Sequence, residues 1–141
     1  LVTILRAGLP LNMGVHKVFP QAEVGFIAMS RNEETLKALQ EYIALPVVKG
    51  KTVIITDTML ATGGSILDAI KIVEEMEPKQ IIIVCAIAAE PGIQRLQQYN
   101  PSIKIYAAAI DPILNDKGYI FPGLGDAGDR SYGVKRDSFV R

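Results

Sequence analysis

The feature that most constrains the fold is a short apolar run that passes through an acidic, glycine-rich turn directly into a helical stretch. The run covers residues 53–56, the turn covers residues 57–64, and the helical stretch starts near Ser65. A strand of branched residues followed at once by a helix is the repeating unit of parallel sheets that helices cover. This segment therefore predicts an α/β chain.

Further apolar runs alternate with helix-period stretches in the same way. The pattern predicts strands over residues 2–5, 24–29, 52–56, 80–86 and 103–109, and helices over residues 9–19, 65–77 and 91–99. We expect a parallel sheet flanked by helices. Ligands bind beyond the carboxyl ends of such strands, where Arg6 and Asp57 fall.

Two segments show neither period and are predicted to be functional loops. Residues 31–51 suit a mobile arm or a hairpin over the site. Residues 111–132 suit a packed loop, because they include the apolar Ile113, Ile120 and Phe121.

The turn after residue 56 has the properties of an anion site. Backbone N–H groups at a helix start are unpaired, and the helix dipole adds positive charge there. Asp57 would repel an anion unless it bonds another part of the same ligand, such as sugar hydroxyls or a metal. A phosphorylated sugar meets both conditions. The plainer alternative is an ordinary strand-to-helix connection in which Ser65 is the N-cap.

Composition narrows the class of protein. With 141 residues and 49% hydrophobic content, the chain is predicted to be one domain with a sizeable core. Fifteen basic and fifteen acidic residues give a net charge of zero, which argues against nucleic-acid binding. No apolar run reaches the roughly 18 residues that span a bilayer, so no membrane partner is expected. The single Cys85 lies in an apolar run and indicates a buried thiol and a reducing, cytoplasmic compartment.

Four segments together resemble the uracil phosphoribosyltransferase family of type I phosphoribosyltransferases. Residues 57–65, with Met-Leu-Ala-Thr-Gly-Gly-Ser, resemble the loop that binds phosphoribosyl pyrophosphate (PRPP). Residues 5–9 (Leu-Arg-Ala-Gly-Leu) and 31–36 resemble two earlier blocks of the family. Residues 119–129 resemble its uracil-binding hood. The matches span nearly the whole chain.

The resemblance implies transfer of the phosphoribosyl group of PRPP to uracil, which gives UMP and diphosphate in pyrimidine salvage. It implies catalytic roles for Asp57, Arg6 and Arg31. The implied PRPP-binding residues are Arg6, Arg31, Asp57, Thr58, Met59, Leu60, Ala61, Thr62, Gly63, Gly64, Ser65 and Asp126. The implied uracil-binding residues are Ile120, Gly125, Asp126 and Ala127.

The resemblance also implies partners and a cofactor. Mg²⁺ is expected to be held mainly through PRPP and diphosphate, with no residue nominated as a metal ligand. A homo-oligomer, dimer or higher, is expected, with GTP as an allosteric activator.

The individual residues have plainer alternatives. An arginine fork before small residues suits a diphosphate, but Arg6 would otherwise be a solvated surface cation. Asp126 would otherwise be an Asx-type turn residue. We expect substitution of Asp57 to reduce activity more than substitution of Thr58, because Asp57 is assigned to the ribose hydroxyls.

The chain departs from the family pattern in four places. Thr58 stands where uracil enzymes usually carry proline, Glu90-Pro91 reverses the usual order, and residues 136–141 extend beyond the usual terminus. Since the family places a sizeable segment before Leu5, we expect a single phosphoribosyltransferase domain over residues 1–141 that lacks its N-terminal segment. Its core is expected over residues 1–110 and its hood over residues 111–133. The open alternative is a non-catalytic regulatory or fusion domain on the same fold.

Overall fold

A computed structural model describes the backbone of residues 1–31 and 38–134, and the side chains of residues 1–29 and 42–134. The elements in chain order are β1 (Val2–Leu5), α1 (Leu9–Val18), β2 (Gly25–Arg31), β3 (Ala38–Ala44), β4 (Thr52–Thr56), β5 (Met59–Leu60), α2 (Gly64–Glu74), β6 (Gln80–Ala89), α3 (Glu90–Tyr99), β7 (Lys104–Asp111), β8 (Ile113–Leu114), β9 (Ile120–Phe121) and α4 (Ala127–Tyr132).

The main sheet is parallel except at one edge. Strands follow the order β3-β2-β1-β4-β6, and β5 and β7 also pair with β6. β4 and β5 pair with successive stretches of one edge of β6, and β7 pairs with the opposite edge. β3 runs antiparallel to β2. A short connection can join antiparallel strands but not parallel ones, which accounts for the exception. The predicted helix-flanked parallel sheet is confirmed in all its other pairings.

The predicted strands at residues 2–5 and 52–56 are confirmed at their observed bounds. β6 and β7 continue to Ala89 and Asp111, beyond the predicted ends. The hairpin interpretation of residues 31–51 agrees with the antiparallel pairing of β3, and residues 32–37 lie outside the described part of the chain.

The prediction that residues 111–132 form no regular elements is wrong. The segment contains the β8–β9 hairpin and α4. Two-residue strands and a six-residue helix are too short to produce a readable period. Ile120 is packed as predicted, since it is 2% exposed. Ile113 and Phe121, which are 52% and 57% exposed, are not.

The core lies between the sheet and the helices. Its fully buried side chains include Ile55 of β4, Ile83 of β6, Ile70 of α2 and Leu96 of α3. Each such side chain stabilises the fold by about 1.5–3 kcal/mol relative to leaving it exposed. Cys85 belongs to this core, as predicted. Within the described residues, no helix has the length and apolar character needed to cross a membrane.

Candidate active site

The loop between β4 and α2, residues 57–65, is fixed on the carboxyl edge of the sheet. The N–H of Asp57 donates to Val84 O at 3.2 Å, and Ala86 and Ile87 both donate to Thr58 O, at 3.0 and 3.1 Å. β5 continues this pairing with β6. The loop is therefore a rigid extension of the sheet, and we call it the β4–α2 loop.

The N-cap residue of α2 offers no side chain to the first backbone N–H groups, and the described residues add one long side-chain bond there, from Gly64 N–H to Thr62 Oγ1 at 3.4 Å. The N-cap is Gly63, with a φ of 77°, a backbone region that favours glycine. The first helical bond is Leu67 N–H to Gly63 O at 2.9 Å, so the amides of residues 64–66 precede it. Residues 59–66 and Asp57 line a cavity of about 70 Å³ here. The prediction that Ser65 is the N-cap is wrong, because Gly63 has that position. The N–H groups at the start of α2 suit an anion.

Asp57 is a buried carboxyl group that is not fully satisfied. It is 8% exposed, and its Oδ1 has no hydrogen-bond partner among the described residues. Burial raises the pKa of Asp57 from 3.8 to about 7, and the backbone N–H groups of Thr58 and Met59 oppose this rise. Since buried polar atoms in native structures usually have a partner, this oxygen suits a ligand that brings hydroxyl donors.

A second cavity, of about 260 Å³, joins the β4–α2 loop to the hood. It is lined by Ala7, Asp57, Met59, Ala61, Lys117, Gly118, Tyr119, Gly125, Asp126 and Ala127. A Cβ atom on Gly118 would lie 3.6 Å from Cγ2 of Thr62, so the hood lies directly against the loop. The structure thus brings three residues of the predicted PRPP loop and three of the four predicted uracil residues to one cavity: Asp57, Met59, Ala61, Gly125, Asp126 and Ala127.

The hood differs from the prediction in which side chains it presents. Ile120 is 2% exposed and is not a lining residue of this cavity. Tyr119 and Lys117 line it instead, and sequence reasoning missed both. Tyr119 lies inside the block that resembles the hood, so the block could have suggested it, whereas no sequence signal marked Lys117.

The block after β1 lies beside the β4–α2 loop. Ala7 lines the larger cavity, and the Thr58 hydroxyl donates a hydrogen bond to Ala7 O. The Arg6 guanidinium forms an ion pair with Asp129, with 2.6 Å between Nη2 and Oδ1. Asp129 was not predicted. The sequence shows a second acid three residues after Asp126, but not which cation it meets.

Asp126 and Arg31 are the two remaining residues that were predicted to bind PRPP. Asp126 is the N-cap of α4, because its Oδ1 accepts a hydrogen bond from Asp129 N–H at 2.8 Å. The turn role is therefore confirmed, and the ligand role stays a prediction that its place in the cavity lining allows. The backbone of Arg31 ends β2, and its side chain lies outside the described part of the structure.

Helix α3 supports the β4–α2 loop from another side, which sequence reasoning missed. A Cβ atom on Gly92 would lie 2.4 Å from Ala61 O and 3.0 Å from Cδ1 of Leu60. Arg95 Nη1 donates to Thr62 O at 3.3 Å. The loop is held between β6 and α3, and Gly92 permits this close approach.

We expect Gly92→Ala to destabilise the chain by about 1–3 kcal/mol, as overpacking of a tight contact does. The backbone at Ala61 cannot move away from the new methyl group, because Ala61 directly follows β5, which is paired with β6. Urea unfolding measures the change. Gly14→Ala in α1 is the matched control, since a Cβ there meets nothing within 4 Å and replaces a helical glycine. A Gly92→Ala midpoint at or above that of the native chain would contradict the prediction.

Proteins of known structure share this architecture. The adenine phosphoribosyl transferase of Trypanosoma brucei, solved with AMP, pyrophosphate and ribose-5-phosphate, superposes with a TM-score of 0.61. It is 13% identical, and the alignment covers 89% of this chain and 59% of that one, so it shows the fold alone. The fold is therefore that of the type I phosphoribosyltransferases.

Relatives of higher sequence identity indicate the family within this fold. A protein of Aquifex aeolicus superposes with a TM-score of 0.89 at 47% identity, over 95% of this chain and 64% of that chain. The uracil phosphoribosyltransferase of Clostridium kluyveri is 51% identical over 135 residues, which cover 95% of this chain and 65% of the relative. The sequence profile named "Uracil phosphoribosyltransferase" matches residues 1–134. The chain belongs to the uracil phosphoribosyltransferase family. It spans 65–66% of the length of the first curated relatives that it matches.

Proposed function

We propose that this chain carries the site at which a phosphoribosyl group passes from PRPP to uracil, giving UMP and diphosphate. The observation that carries the proposal is the position of Asp57. Asp57 is a lining residue of both the 70 Å³ cavity of the β4–α2 loop and the 260 Å³ cavity under the hood, and its buried Oδ1 has no partner within the described residues. A ribose between a phosphate and a base would meet it there.

In this proposal the β4–α2 loop holds the sugar phosphate. The N–H groups and hydroxyls of Thr62, Gly63, Gly64 and Ser65 bind the 5′-phosphate, since they lie at the start of α2. The ribose 2′- and 3′-hydroxyls donate to Asp57. Met59, Leu60 and Ala61 shape the loop against β6 and α3.

Arg6 and Arg31 are proposed to bind the diphosphate. Arg6 directly follows β1 and precedes Ala7, which lines the larger cavity, and the side chain of Arg6 is 40% exposed. An arginine fork matches the oxygen geometry of a phosphate. Arg31 is assigned by the family resemblance alone.

The hood is proposed to select the base through its main chain. Gly125, Asp126 and Ala127 line the shared cavity, and the resemblance adds Ile120. Uracil presents an acceptor, a donor and an acceptor along one edge. Cytosine replaces one acceptor with a donor, so it would leave fixed main-chain groups unpaired.

The chemistry then needs no covalent nucleophile. The bond from C1 to diphosphate loosens toward an oxocarbenium-like state while uracil N1 attacks the opposite face; the N1–C1 bond forms, the C1–O bond to diphosphate breaks, and the N1 proton passes to the departing diphosphate. The residues contribute by holding both reactants in line and by stabilising the negative charge of the departing diphosphate. The hood keeps water away from the activated sugar.

The cavity that Asp57 helps to line can accept Mg²⁺ together with PRPP, and we nominate no residue of this chain as a direct metal ligand. When bound, Mg²⁺ would neutralise charge on the diphosphate. We place it among the oxygens of PRPP, with Asp57 orienting the adjacent ribose hydroxyls.

Assembly, location and regulation complete the proposal. A homo-oligomer is supported by exposed apolar side chains on and after β7: Tyr106, Ile110, Ile113 and Phe121 are each more than half exposed. Activation by GTP, a cytoplasmic location and a single domain with core and hood rest on the family resemblance and on the sequence pattern.

We expect the chain to form UMP when it is incubated with labelled uracil, PRPP and Mg²⁺, and to form no product from cytosine. Chromatography of the labelled nucleotides measures both reactions. A chimaera in which these residues replace the matching part of the Clostridium kluyveri relative is tested in parallel. Failure of both proteins to form UMP, although both are folded, would contradict the proposal.

A further inference from the structure

The guanidinium that the proposed function assigns to diphosphate is already bonded to a carboxylate. Arg6 Nη2 lies 2.6 Å from Asp129 Oδ1, and Arg6 Nη1 donates to Gly133 O at 3.3 Å. The side chain of Asp129 is 24% exposed and that of Arg6 is 40% exposed. The two contacts together attach α4 and the residue after it to the segment that follows β1.

Asp129 is held in place by its own helix. Its N–H donates to Oδ1 of the N-cap residue Asp126 at 2.8 Å. A Cβ atom on Gly128 would lie 3.6 Å from Arg6 Nη2 and 3.8 Å from Ala7 N. The first turn of α4 therefore lies directly against Arg6, and the carboxylate cannot drift away while α4 stays docked.

Geometry alone would let Arg6 bind two partners. A guanidinium has five N–H donors, and the described contacts use two of them. Charge is the obstacle, because a diphosphate on the same guanidinium would stand close to the carboxylate of Asp129, and like charges repel strongly in a partly buried setting. An asparagine at this position would keep the acceptor oxygen and remove the charge.

We propose that Asp129 competes with diphosphate for Arg6 and thereby lowers the affinity of the site for diphosphate. This inference rests on the proposed function, since it takes Arg6 as a diphosphate ligand. Asp129 acts through Arg6 and is a positioning residue. Its effect is to favour departure of the diphosphate, because the carboxylate stays beside Arg6 and repels the bound anion.

Calorimetric titration with inorganic pyrophosphate in the presence of Mg²⁺ tests the proposal directly. We expect Asp129→Asn to bind pyrophosphate about tenfold more tightly than the native chain. Asp129→Ala should also bind pyrophosphate more tightly than the native chain, but by a smaller factor, because Arg6 then also loses the oxygen that positions its guanidinium. If Asp129→Asn does not fold, Asp129→Ala takes its place. Glu23→Gln is the matched control. This substitution breaks the exposed ion pair between Glu23 and Lys51. Lys51 lies just before β4, whereas the β4–α2 loop follows the other end of that strand, so the affinity for pyrophosphate should not change.

A double-mutant cycle identifies the route of the effect. In an Arg6→Ala background, Asp129→Asn should bring no gain in affinity. Equal or weaker binding by Asp129→Asn, or a gain that persists without Arg6, would overturn this inference while leaving the proposed function standing. If the folded native chain binds no pyrophosphate and makes no UMP, the proposed function fails and this inference fails with it.

Discussion

Asp57→Asn is expected to reduce UMP formation about 100-fold or more and, at the same time, to make the folded chain more stable at pH 8. Activity falls because the amide no longer presents a charged acceptor to the ribose hydroxyls, a loss of the size seen when an oriented electrostatic group is removed. Stability rises because Asp57 is 8% exposed and its buried Oδ1 has no partner among the described residues.

The pH dependence of the stability follows from the direction of the pKa shift. Burial raises the pKa of Asp57 from 3.8 to about 7 in the folded chain. Below pH 3.8 both states are protonated, and the group costs nothing. Between pH 3.8 and 7 the unfolded chain ionises first, so the native protein loses stability as the pH rises, and the loss levels off above 7. This difference in pKa corresponds to at most roughly 4 kcal/mol.

Thermal unfolding of both proteins at several pH values measures the effect. We expect the melting temperature of Asp57→Asn to exceed that of the native chain by several degrees at pH 8, and by progressively less toward pH 4. Asp116→Asn, in the exposed β8–β9 turn, is the control for loss of a carboxylate. A constant difference across the pH range, or a less stable Asp57→Asn at pH 8, would show that the carboxyl group is not strained by its burial.

Gly8→Ala is expected to cost about 3 kcal/mol or more of folding free energy, at the upper end of overpacking effects. A Cβ atom on Gly8 would lie 2.5 Å from Thr56 O, 2.7 Å from Ile4 O and 2.7 Å from Thr3 Oγ1. The chain around Gly8 is fixed, because its N–H donates to Ile4 O at 2.8 Å and its carbonyl accepts from Asn12 N–H at 2.9 Å.

The neighbours of Gly8 cannot move cheaply. Thr3 and Thr56 are fully buried, and their hydroxyls donate to main-chain carbonyls of the paired strands β4 and β1. Displacing them would break buried polar contacts as well as the packing. Urea unfolding of Gly8→Ala is compared with that of Gly14→Ala, whose new methyl group meets nothing within 4 Å. The comparison separates the effect of the clash from the effect of replacing a glycine by alanine. Equal midpoints for the two variants would refute the account.

Local sequence patterns predicted the parts of the fold that depend on local physics. Branched apolar runs between polar residues predicted β1 and β4 at their observed bounds, and the glycine-rich turn after β4 was predicted to be an anion site. The short elements of the hood were missed because a period needs more residues than they contain.

The missed site residues depend on contacts between distant parts of the chain. Asp129 and Arg6 are 123 residues apart, and no spacing rule connects them. Gly92 is needed because α3 packs closely against Ala61. A glycine within a helical sequence pattern does not indicate which residue its helix will contact. The raised pKa of Asp57 likewise comes from surrounding packing, which composition does not reveal.

Thr58, where the family usually carries proline, connects three segments at once. Its hydroxyl bonds Ala7, while its carbonyl accepts the amides of Ala86 and Ile87. The β4–α2 loop and Arg6, to which we assign the two ends of the substrate, therefore share Thr58 as an anchor and cannot separate independently. In the proposed function, this shared anchor would fix the distance between the two phosphate sites. We expect it to discriminate among doubly phosphorylated sugars by their length rather than by their total charge.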